Sequence, residues 1–202
     1  MTKPSSRGFR STRCPKCLLP QPHCLCAQAR STPAPLSLIL LRHPKEAWRS
    51  SGTGALLLRC FEGAELVEPS QWDARQALGF EEPVAILFPP DGEDCLRNPQ
   101  SPDVAPQIIP RTLIVPDGSW MEARRMVRKN DYLRTLPRVS PCMATRWIAD
   151  PLRVDIWERP CTAEAVGQYF ADLGWNEPAA MLREQLFQFV AAHRKARGLP
   201  PL

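Results

Sequence analysis

Four cysteines near the N-terminus have the residue type and the spacing of a metal site. They lie in "CPKCLLPQPHCLC" with the pattern C-x2-C-x6-C-x-C, and they are Cys14, Cys17, Cys24 and Cys26. Four thiolates this close in sequence can surround a tetrahedral Zn²⁺, whose charge keeps them deprotonated. The spacing leaves no ligand position open, so it predicts a structural Zn²⁺ site. The alternatives are four reduced, unconnected thiols, or disulfides in an oxidising compartment.

A second candidate for chemistry is the aspartate that ends an apolar run. The run "TLIVP" (112–116) leads directly into Asp117, and Gly118 permits a tight turn there. Ser119 and Glu122 then form a capping box, which predicts that a helix begins at Ser119. A carboxylate at a strand end beside a helix N-terminus suits a catalytic or ligand-binding role, and an ordinary Asp-Gly turn is the alternative.

The helix predicted after Asp117 carries a strongly basic surface. Residues 121–138 contain six basic residues against two acidic ones. Four of the basic residues follow the aspartate closely, and they are Arg124, Arg125, Arg128 and Lys129. This surface could hold nucleic-acid phosphates, whereas a solvated helix face is the alternative. Trp120, Ala123 and Val127 share another face of the helix, which is predicted to be buried.

Three continuous apolar runs predict the strands that position these residues. The runs are "LSLILL" (36–41), "VAILF" (84–88) and "TLIVP" (112–116). Uninterrupted runs of this kind are typical of strands buried on both faces of a largely parallel sheet. Helical patterns follow them in "GALLLRCF", "SQWDARQAL", "SWMEARRMVRK" and "TAEAVGQYFADL", and residues 178–197 predict a closing helix. The alternation predicts an α/β fold whose ligands gather at the carboxyl ends of the strands.

Length and charge indicate one main domain with a basic N-terminal arm. The 202 residues include 26 basic and 21 acidic ones. Residues 1–30 hold six of the basic residues and no acid, which leaves 20 basic against 21 acidic residues in the remainder. The net charge of +5 is therefore an N-terminal excess, and it indicates contact with a polyanion such as a phosphate backbone. A solvated, disordered tail over residues 1–12 is the alternative.

The sequence predicts neither a membrane protein nor a secreted one. No apolar run approaches the roughly 20 residues that span a bilayer, and the N-terminus "MTKPSSRGFR" lacks the apolar segment of a secretory signal. A cytoplasmic location is therefore expected, where clustered cysteines bind metal more often than they form disulfides. Neither a membrane nor an obligatory protein partner is inferred.

Several segments of the sequence together resemble the DTW-domain family. Asp117, Ser119 and Trp120 match the family's D-x-[ST]-W quartet, and the N-terminal four-cysteine cluster matches as well. The stretch "LRHPKEAWRSSGTGALL" is similar to the family's His-Pro-x-Glu segment, and "ILFPP" fits the end of the second run. Finally, "CTAEAVGQYFADLG" resembles the family's Ser/Thr-Thr-x-Glu-Ala helix start. The ordered set covers roughly residues 14–195.

The resemblance implies both a fold and a reaction. The fold is SPOUT-like, with a mostly parallel sheet, helices on both faces and a C-terminal trefoil knot. A basic zinc-binding segment would occupy residues 1–32, and the catalytic domain residues 33–202. The implied reaction transfers the 3-amino-3-carboxypropyl group of S-adenosylmethionine to N3 of a uridine in tRNA and releases methylthioadenosine. The alternatives are a SPOUT-type RNA methyltransferase and a non-catalytic, zinc-bearing RNA-binding module.

The resemblance also implies roles for individual residues. Asp117 is expected to act as the general base on uridine N3–H. The residues expected to contact S-adenosylmethionine are Leu87, Phe88, Pro89, Pro116, Asp117, Gly118, Ser119, Trp120, Arg146 and Thr162. Arg146 would pair with the methionine carboxylate, with a surface salt bridge as the alternative, and for Trp120 packing in the core is the alternative. The tRNA backbone is expected to contact the zinc segment and Arg42, His43, Arg124, Arg125, Arg128 and Lys129.

Overall fold

The structure is a computed structural model, and it describes residues 12–89, 109–141, 147 and 160–200. Seven strands lie within these ranges: β1 (Thr32–Pro33), β2 (Ser37–Arg42), β3 (Phe61–Glu62), β4 (Glu65–Val67), β5 (Val84–Leu87), β6 (Thr112–Asp117) and β7 (Arg138–Val139). Six α-helices lie within them: α1 (Leu57–Cys60), α2 (Trp72–Ala77), α3 (Trp120–Lys129), α4 (Asp131–Thr135), α5 (Thr162–Asp172) and α6 (Asn176–Ala196).

A five-stranded parallel sheet forms the centre of the fold, in the order β4-β2-β6-β5-β7. Its three central strands, β2, β6 and β5, are the three continuous apolar runs, so the prediction of buried parallel strands is confirmed. The register pairs Arg42 with Asp117, which places the ends of β2 and β6 side by side. Strands β1 and β3 form a separate two-stranded parallel pair.

Helices cover both faces of the central sheet. Successive side chains of a strand point to opposite faces. On β2, Leu38 and Leu40 pack in the core that includes α1, α5 and α6. Ile39 and Leu41 pack in the core that includes α2, α3 and α4. The chain therefore has the predicted mixed α/β architecture with a parallel sheet between two helical layers.

The N-terminus of α3 is capped reciprocally. The Ser119 N–H donates to Glu122 Oε2 at 2.9 Å, and the Glu122 N–H donates to Ser119 Oγ at 3.4 Å. These two bonds confirm the predicted capping box, which satisfies donors that a helix start leaves without partners. Ala123 and Val127 are buried and Trp120 is partly buried, so this face of α3 packs as predicted.

Helix α1 is shorter than the pattern "GALLLRCF" predicts. A 3-10 turn over Gly54–Leu56 precedes a single turn of α-helix, Leu57–Cys60. The helix ends there because Phe61 is extended, with φ −121° and ψ 116°, and pairs with Thr32 in the small sheet. Tertiary pairing therefore overrides a run of good helix formers.

The N-terminal segment packs directly against the body of the protein. Leu19 is fully buried and belongs, with Cys14 and Cys17, to the core that contains Phe189 of α6. The 3-10 turn Gln21–His23 also contacts α6. The segment that carries the four cysteines is thus anchored on the last helix of the chain.

The SPOUT-like fold and the C-terminal knot stay predictions. Residues 142–146 and 148–159, between β7 and α5, lie outside the described residues. The boundary at residue 32 and the cytoplasmic location also stay predictions. Across the described ranges, no helix combines the length and the apolar character needed to cross a membrane.

His193 makes the stability of the fold depend on pH. Its side chain projects from α6, is 4 % exposed, and places Nε2 3.4 Å from Ser50 Oγ. Burial, together with the charges of Arg197 and Arg13, lowers the pKa of His193 from 6.5 to about 4. Between these two values the unfolded chain binds a proton that the folded chain excludes, so the fold loses stability as the pH falls.

We expect the free energy of unfolding to drop as the pH falls from 6.5 to 4, by up to about 3 kcal/mol from this residue. His193→Gln removes the titrating ring and should flatten this part of the pH profile. Urea denaturation of both proteins at pH 7 and pH 4.5 measures the difference. Equal losses of stability in the two proteins would contradict the assignment to His193.

Candidate functional site

The carboxylate of Asp117 is buried at the carboxyl end of β6. The residue is 4 % exposed, and its Oδ1 accepts a hydrogen bond from the Thr162 hydroxyl at 2.7 Å. Its backbone carbonyl accepts from the His43 N–H at 2.8 Å, which fixes the end of β6 beside the segment after β2. The fold thus joins Asp117 to the first residue of α5, which lies 45 positions away in the sequence.

Gly54 closes over the same carboxylate. A Cβ atom at this position would overlap the terminal atoms of the Asp117 side chain, so only glycine permits the approach. Beside it, Thr53 Oγ1 accepts a hydrogen bond from the Ala163 N–H at 3.4 Å. The segment after β2 and the start of α5 therefore enclose Asp117 from two sides.

We expect Gly54→Ala to displace the Asp117 carboxylate and to destabilise the fold by about 1–3 kcal/mol, the usual effect of overpacking. Gly52→Ala is the comparison, because a Cβ there would meet Glu46 Oε2 at 3.2 Å and the Arg49 carbonyl oxygen at 3.3 Å, which is a milder conflict than the overlap at Gly54. Urea denaturation of the two variants measures the difference. A Gly54 variant as stable as the control would show that the close approach is not a constraint.

A cleft lies beside Asp117 at the carboxyl edge of the sheet. Its volume is about 550 Å³, counting the part open to solvent. The described residues that line it are Leu87, Phe88, Pro89, Val115, Pro116, Gly118, Trp120, Ala123, Ser140, Pro141, Pro160, Thr162 and Ala165. Phe88 and Trp120 stack here, with ring centroids 5.2 Å apart and ring planes at 17°. A largely apolar cleft with a stacked aromatic pair suits a flat heterocycle or a cation.

Most of the residues predicted to contact a cosubstrate line this cleft. They are Leu87, Phe88, Pro89, Pro116, Gly118, Trp120 and Thr162. Two others do not line it: the Ser119 hydroxyl donates to Glu122 Oε2 at 2.6 Å, and the Asp117 carboxylate lies behind Thr162. Arg146, the last of the set, lies outside the described residues.

Thr162 connects the cleft to the buried carboxylate. It lines the cleft, and its hydroxyl donates to Asp117. A hydroxyl that donates one hydrogen bond still has lone pairs with which to accept another. A ligand in the cleft that donates a hydrogen bond to the Thr162 hydroxyl would therefore be linked to Asp117 through that one hydroxyl.

Asp117 also borders a smaller cavity that the N-terminal segment helps to enclose. The residues around it are Pro15, Lys16, Cys17, Leu18, Arg42, Glu46, Ala47, Arg49, Gly52, Ala55 and Asp117. Because the first four of these belong to the cysteine-rich segment, that segment forms a wall of the space next to the carboxylate. Loss of its local structure would expose Asp117 to solvent on this side.

An ion network ties α3 to the segment after β2. Arg49 pairs with the buried Glu46, and its Nη1 lies 3.8 Å from Glu122 Oε2. His43 Nδ1 lies 3.7 Å from Glu122 Oε1. Burial alone would raise the pKa of Glu122, but hydrogen bonds from Ser119 and the charge of Arg49 lower it to about 2. Glu122 is therefore charged at neutral pH and holds the start of α3 in place.

The sequence did not assign site roles to Glu46, Arg49 or Gly54. Glu46 stands in the segment that resembles the family's His-Pro-x-Glu stretch, and that likeness was the available signal. Arg49 and Gly54 lie in short turns without periodicity, so no pattern in the sequence distinguishes them.

The four N-terminal cysteines have the geometry of a tetrahedral metal site. Their sulfur atoms all lie within 4.8 Å of one another. The Sγ atoms of Cys14 and Cys26 are 3.7 Å apart, and those of Cys17 and Cys24 are 3.8 Å apart. Zn–S bonds of about 2.3 Å at tetrahedral angles separate the sulfurs by about 3.8 Å. The four thiols therefore fit an ion such as Zn²⁺.

The other described cysteines, Cys60 and Cys161, do not belong to this cluster, and Cys60 is buried whereas Cys161 is half-buried. Burial raises the pKa of Cys60 to about 11 and that of Cys161 to about 12. A thiol that stays protonated at neutral pH is a poor nucleophile, so Cys60 and Cys161 act as small, largely apolar groups. Cys95 and Cys142 lie outside the described residues.

The predicted RNA contacts fall into two groups. The cationic surface of α3 consists of Arg124, Arg125, Arg128 and Lys129. In the part of the chain that the structure describes, none of these four cations has an acidic group within 4.0 Å. Near Asp117, by contrast, Arg42 pairs with Glu68 at 2.9 Å, and His43 Nδ1 accepts from the Lys45 N–H at 3.3 Å. Among the described residues, the four cations of α3 are therefore the predicted RNA contacts that have no acidic partner.

The parallel sheet, the cleft at its carboxyl edge and the N-terminal four-cysteine cluster make this an α/β protein with a cleft where sheets of this kind commonly bind ligands. The DTW domain matches residues 11–195, so the chain belongs to the DTW-domain family, as the sequence motifs predicted. No solved structure matches the chain. Membership of this family is consistent with a role in tRNA modification.

Proposed function

We propose that this protein transfers the 3-amino-3-carboxypropyl group of S-adenosylmethionine to N3 of a uridine in tRNA. The observation that carries the proposal is the hydrogen bond of 2.7 Å from Thr162 to Asp117 at the wall of an aromatic cleft. Family membership supports tRNA as the substrate. The cations of α3, which pair with no acid among the described residues, suit a phosphate backbone beside this cleft.

The cleft has the chemistry to hold the donor. S-adenosylmethionine combines a flat adenine with a positively charged sulfonium. Aromatic faces attract cations within about 6 Å of the ring centroid, so Phe88 and Trp120 suit the sulfonium. Pro89, which follows β5, and Pro116, near the end of β6, also line the cleft. The Pro89 carbonyl accepts from Arg138 Nη1 at 3.4 Å and keeps a second lone pair with which to accept from a ligand. Arg146 is proposed to pair with the methionine carboxylate.

The reaction forms one bond and breaks one bond. Uridine N3 attacks the methionine γ-carbon, the N–C bond forms, and the electrons of the S–C bond leave with methylthioadenosine. The N3 proton has to depart. We propose that it passes to the Thr162 hydroxyl as that hydroxyl gives its own proton to Asp117, which acts as the general base. Holding both reactants together supplies much of the remaining acceleration.

The acceptor is proposed to be an unpaired or splayed-out uridine. In a base pair, N3 is hidden in the Watson–Crick edge, so a loop base is the accessible target. The cationic surface of α3 and the cysteine-rich segment would contact phosphates without reading sequence. The four thiols are proposed to hold a structural Zn²⁺ that keeps this segment folded.

Two donor labels test the reaction. Purified protein is incubated with tRNA and S-adenosylmethionine labelled either in the methionine chain or in the methyl group. Only the chain label should enter RNA, together with formation of one methylthioadenosine per transfer. Incorporation of the methyl label would identify a methyltransferase. Incorporation of neither label, with RNA binding that survives Asp117→Ala, would identify an RNA-binding module.

Nucleoside mass spectrometry of tRNA from cells that lack this protein tests the substrate. We expect one hypermodified uridine to disappear and to return when the native gene is supplied. A gene encoding the Asp117→Asn protein should not restore it. An unchanged nucleoside profile would contradict the proposal.

A further inference from the structure

A second, larger pocket lies on the flank of α3 and is called here the flank pocket. Its volume is about 830 Å³, counting the part open to solvent. Leu41, Trp72, Met126 and Leu133 give it an apolar lining that belongs to the core on the α2–α4 side of the sheet. The proposed reaction makes no use of this space.

The flank pocket and the cleft lie on different sides of α3. Trp120 and Ala123 line the cleft, whereas Glu122, Met126 and Lys129 line the flank pocket. At 3.6 residues per turn, these two sets point in well separated directions around the helix axis. The cationic surface of α3 occupies the solvent-exposed side between them, where Met121 is 81 % exposed.

Two cations belong both to the cationic surface and to the flank pocket. Arg125 and Lys129 line each of them, so positive charge runs without a break from the exposed side of α3 into the pocket. Arg125 and Lys129 are also spaced i,i+4, as are Arg124 and Arg128. Like charges at this spacing destabilise a helix by about 0.2–0.5 kcal/mol per pair. An external anion is the partner that would relieve this repulsion.

We infer that the flank pocket binds one unpaired nucleotide of the same RNA strand that delivers the acceptor uridine to the cleft. The inference rests on the proposed function for the identity of the RNA. The strand would cross α3 with its phosphates on the cationic surface and place bases in the spaces on either side. The polar parts of this apolar pocket are the cations Arg125 and Lys129, His43, Asn130 and the carboxylate of Glu122. Because Lys45 and Arg49 lie within 4.0 Å of Glu122, Arg125 and Lys129 remain available to a phosphate, and the apolar part suits a base.

The chemistry of the pocket favours a nucleotide over an acidic peptide. Base stacking and apolar contact tolerate any sequence, because every base has a π-face, and phosphates neutralise adjacent cations. A nucleotide offers both features in one repeating unit. Because the flank pocket is separated from Thr162 by the body of α3, its occupant is a neighbour of the reacting base and not the reacting base itself.

The test compares two probes that carry equal charge. One is an eight-nucleotide oligouridylate, and the other is an RNA chain of the same length and phosphate number that lacks bases. Fluorescence anisotropy without S-adenosylmethionine gives Kd for each probe, and their ratio isolates the contribution of the bases. The native protein should bind the oligouridylate more tightly by about five- to 150-fold, as expected for one or more stacked bases.

A comparison of Met126→Glu with Met121→Glu distinguishes the contribution of the pocket to RNA binding from the contribution of charge. Both variants add one carboxylate to α3 and should weaken both probes through electrostatics. Met121 is exposed outside the pocket, so its variant should keep the native ratio of Kd values. Met126 lines the pocket, so its variant should lower the ratio at least about fivefold, the effect of removing one stacked base. Thermal unfolding of both variants confirms that they are folded.

A native ratio near one, or a Met126→Glu ratio equal to that of Met121→Glu, would overturn the inference. Cross-linking with 4-thiouridine in the oligouridylate supplies a second readout. Cross-links to peptides that contain Met126 or Trp72 support the inference, whereas cross-links confined to the cleft contradict it. Because these measurements involve no transfer, they can succeed when the transfer reaction fails, and they can fail when it succeeds.

Discussion

Asp117→Asn is expected to lower the rate of aminocarboxypropyl transfer by about 10²–10⁴-fold, the usual contribution of general acid–base catalysis. The amide is close in size to the carboxylate, and its oxygen can still accept the hydrogen bond that Thr162 donates at 2.7 Å in the native protein. It cannot take up the proton that leaves uridine N3. Single-turnover kinetics with saturating tRNA and S-adenosylmethionine measure the rate, and Kd for tRNA should stay unchanged.

Two substitutions at Thr162 complete this experiment. Thr162→Ser keeps the hydroxyl and should retain most of the rate, whereas Thr162→Val removes it and should lose about as much as Asp117→Asn. If Asp117→Asn retains the native rate, the carboxylate serves only to hold Thr162 and the segment around Gly54. If Thr162→Val is active while Asp117→Asn is not, the proton reaches Asp117 by another route.

The second large effect is expected at the cysteine cluster. The native protein should contain one Zn²⁺ per chain, and Cys14→Ser should lose it. Apparent binding free energies of structural zinc sites are about 10–16 kcal/mol in small zinc domains, and this energy is coupled to folding. Because Cys14, Cys17 and Leu19 belong to the same core as α6, the loss should lower the melting temperature by on the order of 10 °C. Elemental analysis and calorimetry measure the two quantities.

Cys60→Ala is the control for this substitution. Cys60 is fully buried but lies outside the cluster, so its variant loses core packing and keeps the metal. Transfer activity should fall in the Cys14 variant even at a temperature where it is folded, because residues 15–18 wall the cavity beside Asp117. A native protein that purifies without metal and melts at the same temperature after chelation would contradict the zinc assignment.

The central strands could be predicted because their signal is local. A strand buried on both faces needs apolar residues at successive positions, and residues 38–41 of β2, 84–87 of β5 and 113–116 of β6 meet this condition. The outer strands β4 and β7 are only three and two residues long. Segments of that length carry no periodicity, and they become strands only because a central strand offers hydrogen-bond partners. Strands with a local pattern of apolar residues could therefore be predicted, and strands that depend on pairing with a distant segment could not.

In the candidate site, too, the position of one residue could be predicted from local sequence, whereas its contacts could not. Asp117 follows a strong strand pattern and precedes a capping box, so its place at the edge of the sheet could be inferred. Its contact with Thr162 depends on how α5 docks, and its contact with Gly54 depends on a turn without repeating pattern. The separation of the cleft from the carboxylate by a single hydroxyl is a product of packing, which no spacing in the sequence encodes.

The packing of the cysteine-rich segment on α6 sets the order in which parts of the protein can fold during synthesis. Leu19 is synthesised before Phe189, yet both belong to the same core, and the charge of Arg13 helps to lower the pKa of His193 on α6. The cysteine-rich segment can therefore reach its final packing only after α6 has been synthesised. A nascent chain in which α6 has not yet emerged would leave the cysteine-rich segment without its packing partner and Asp117 exposed on the side that residues 15–18 cover.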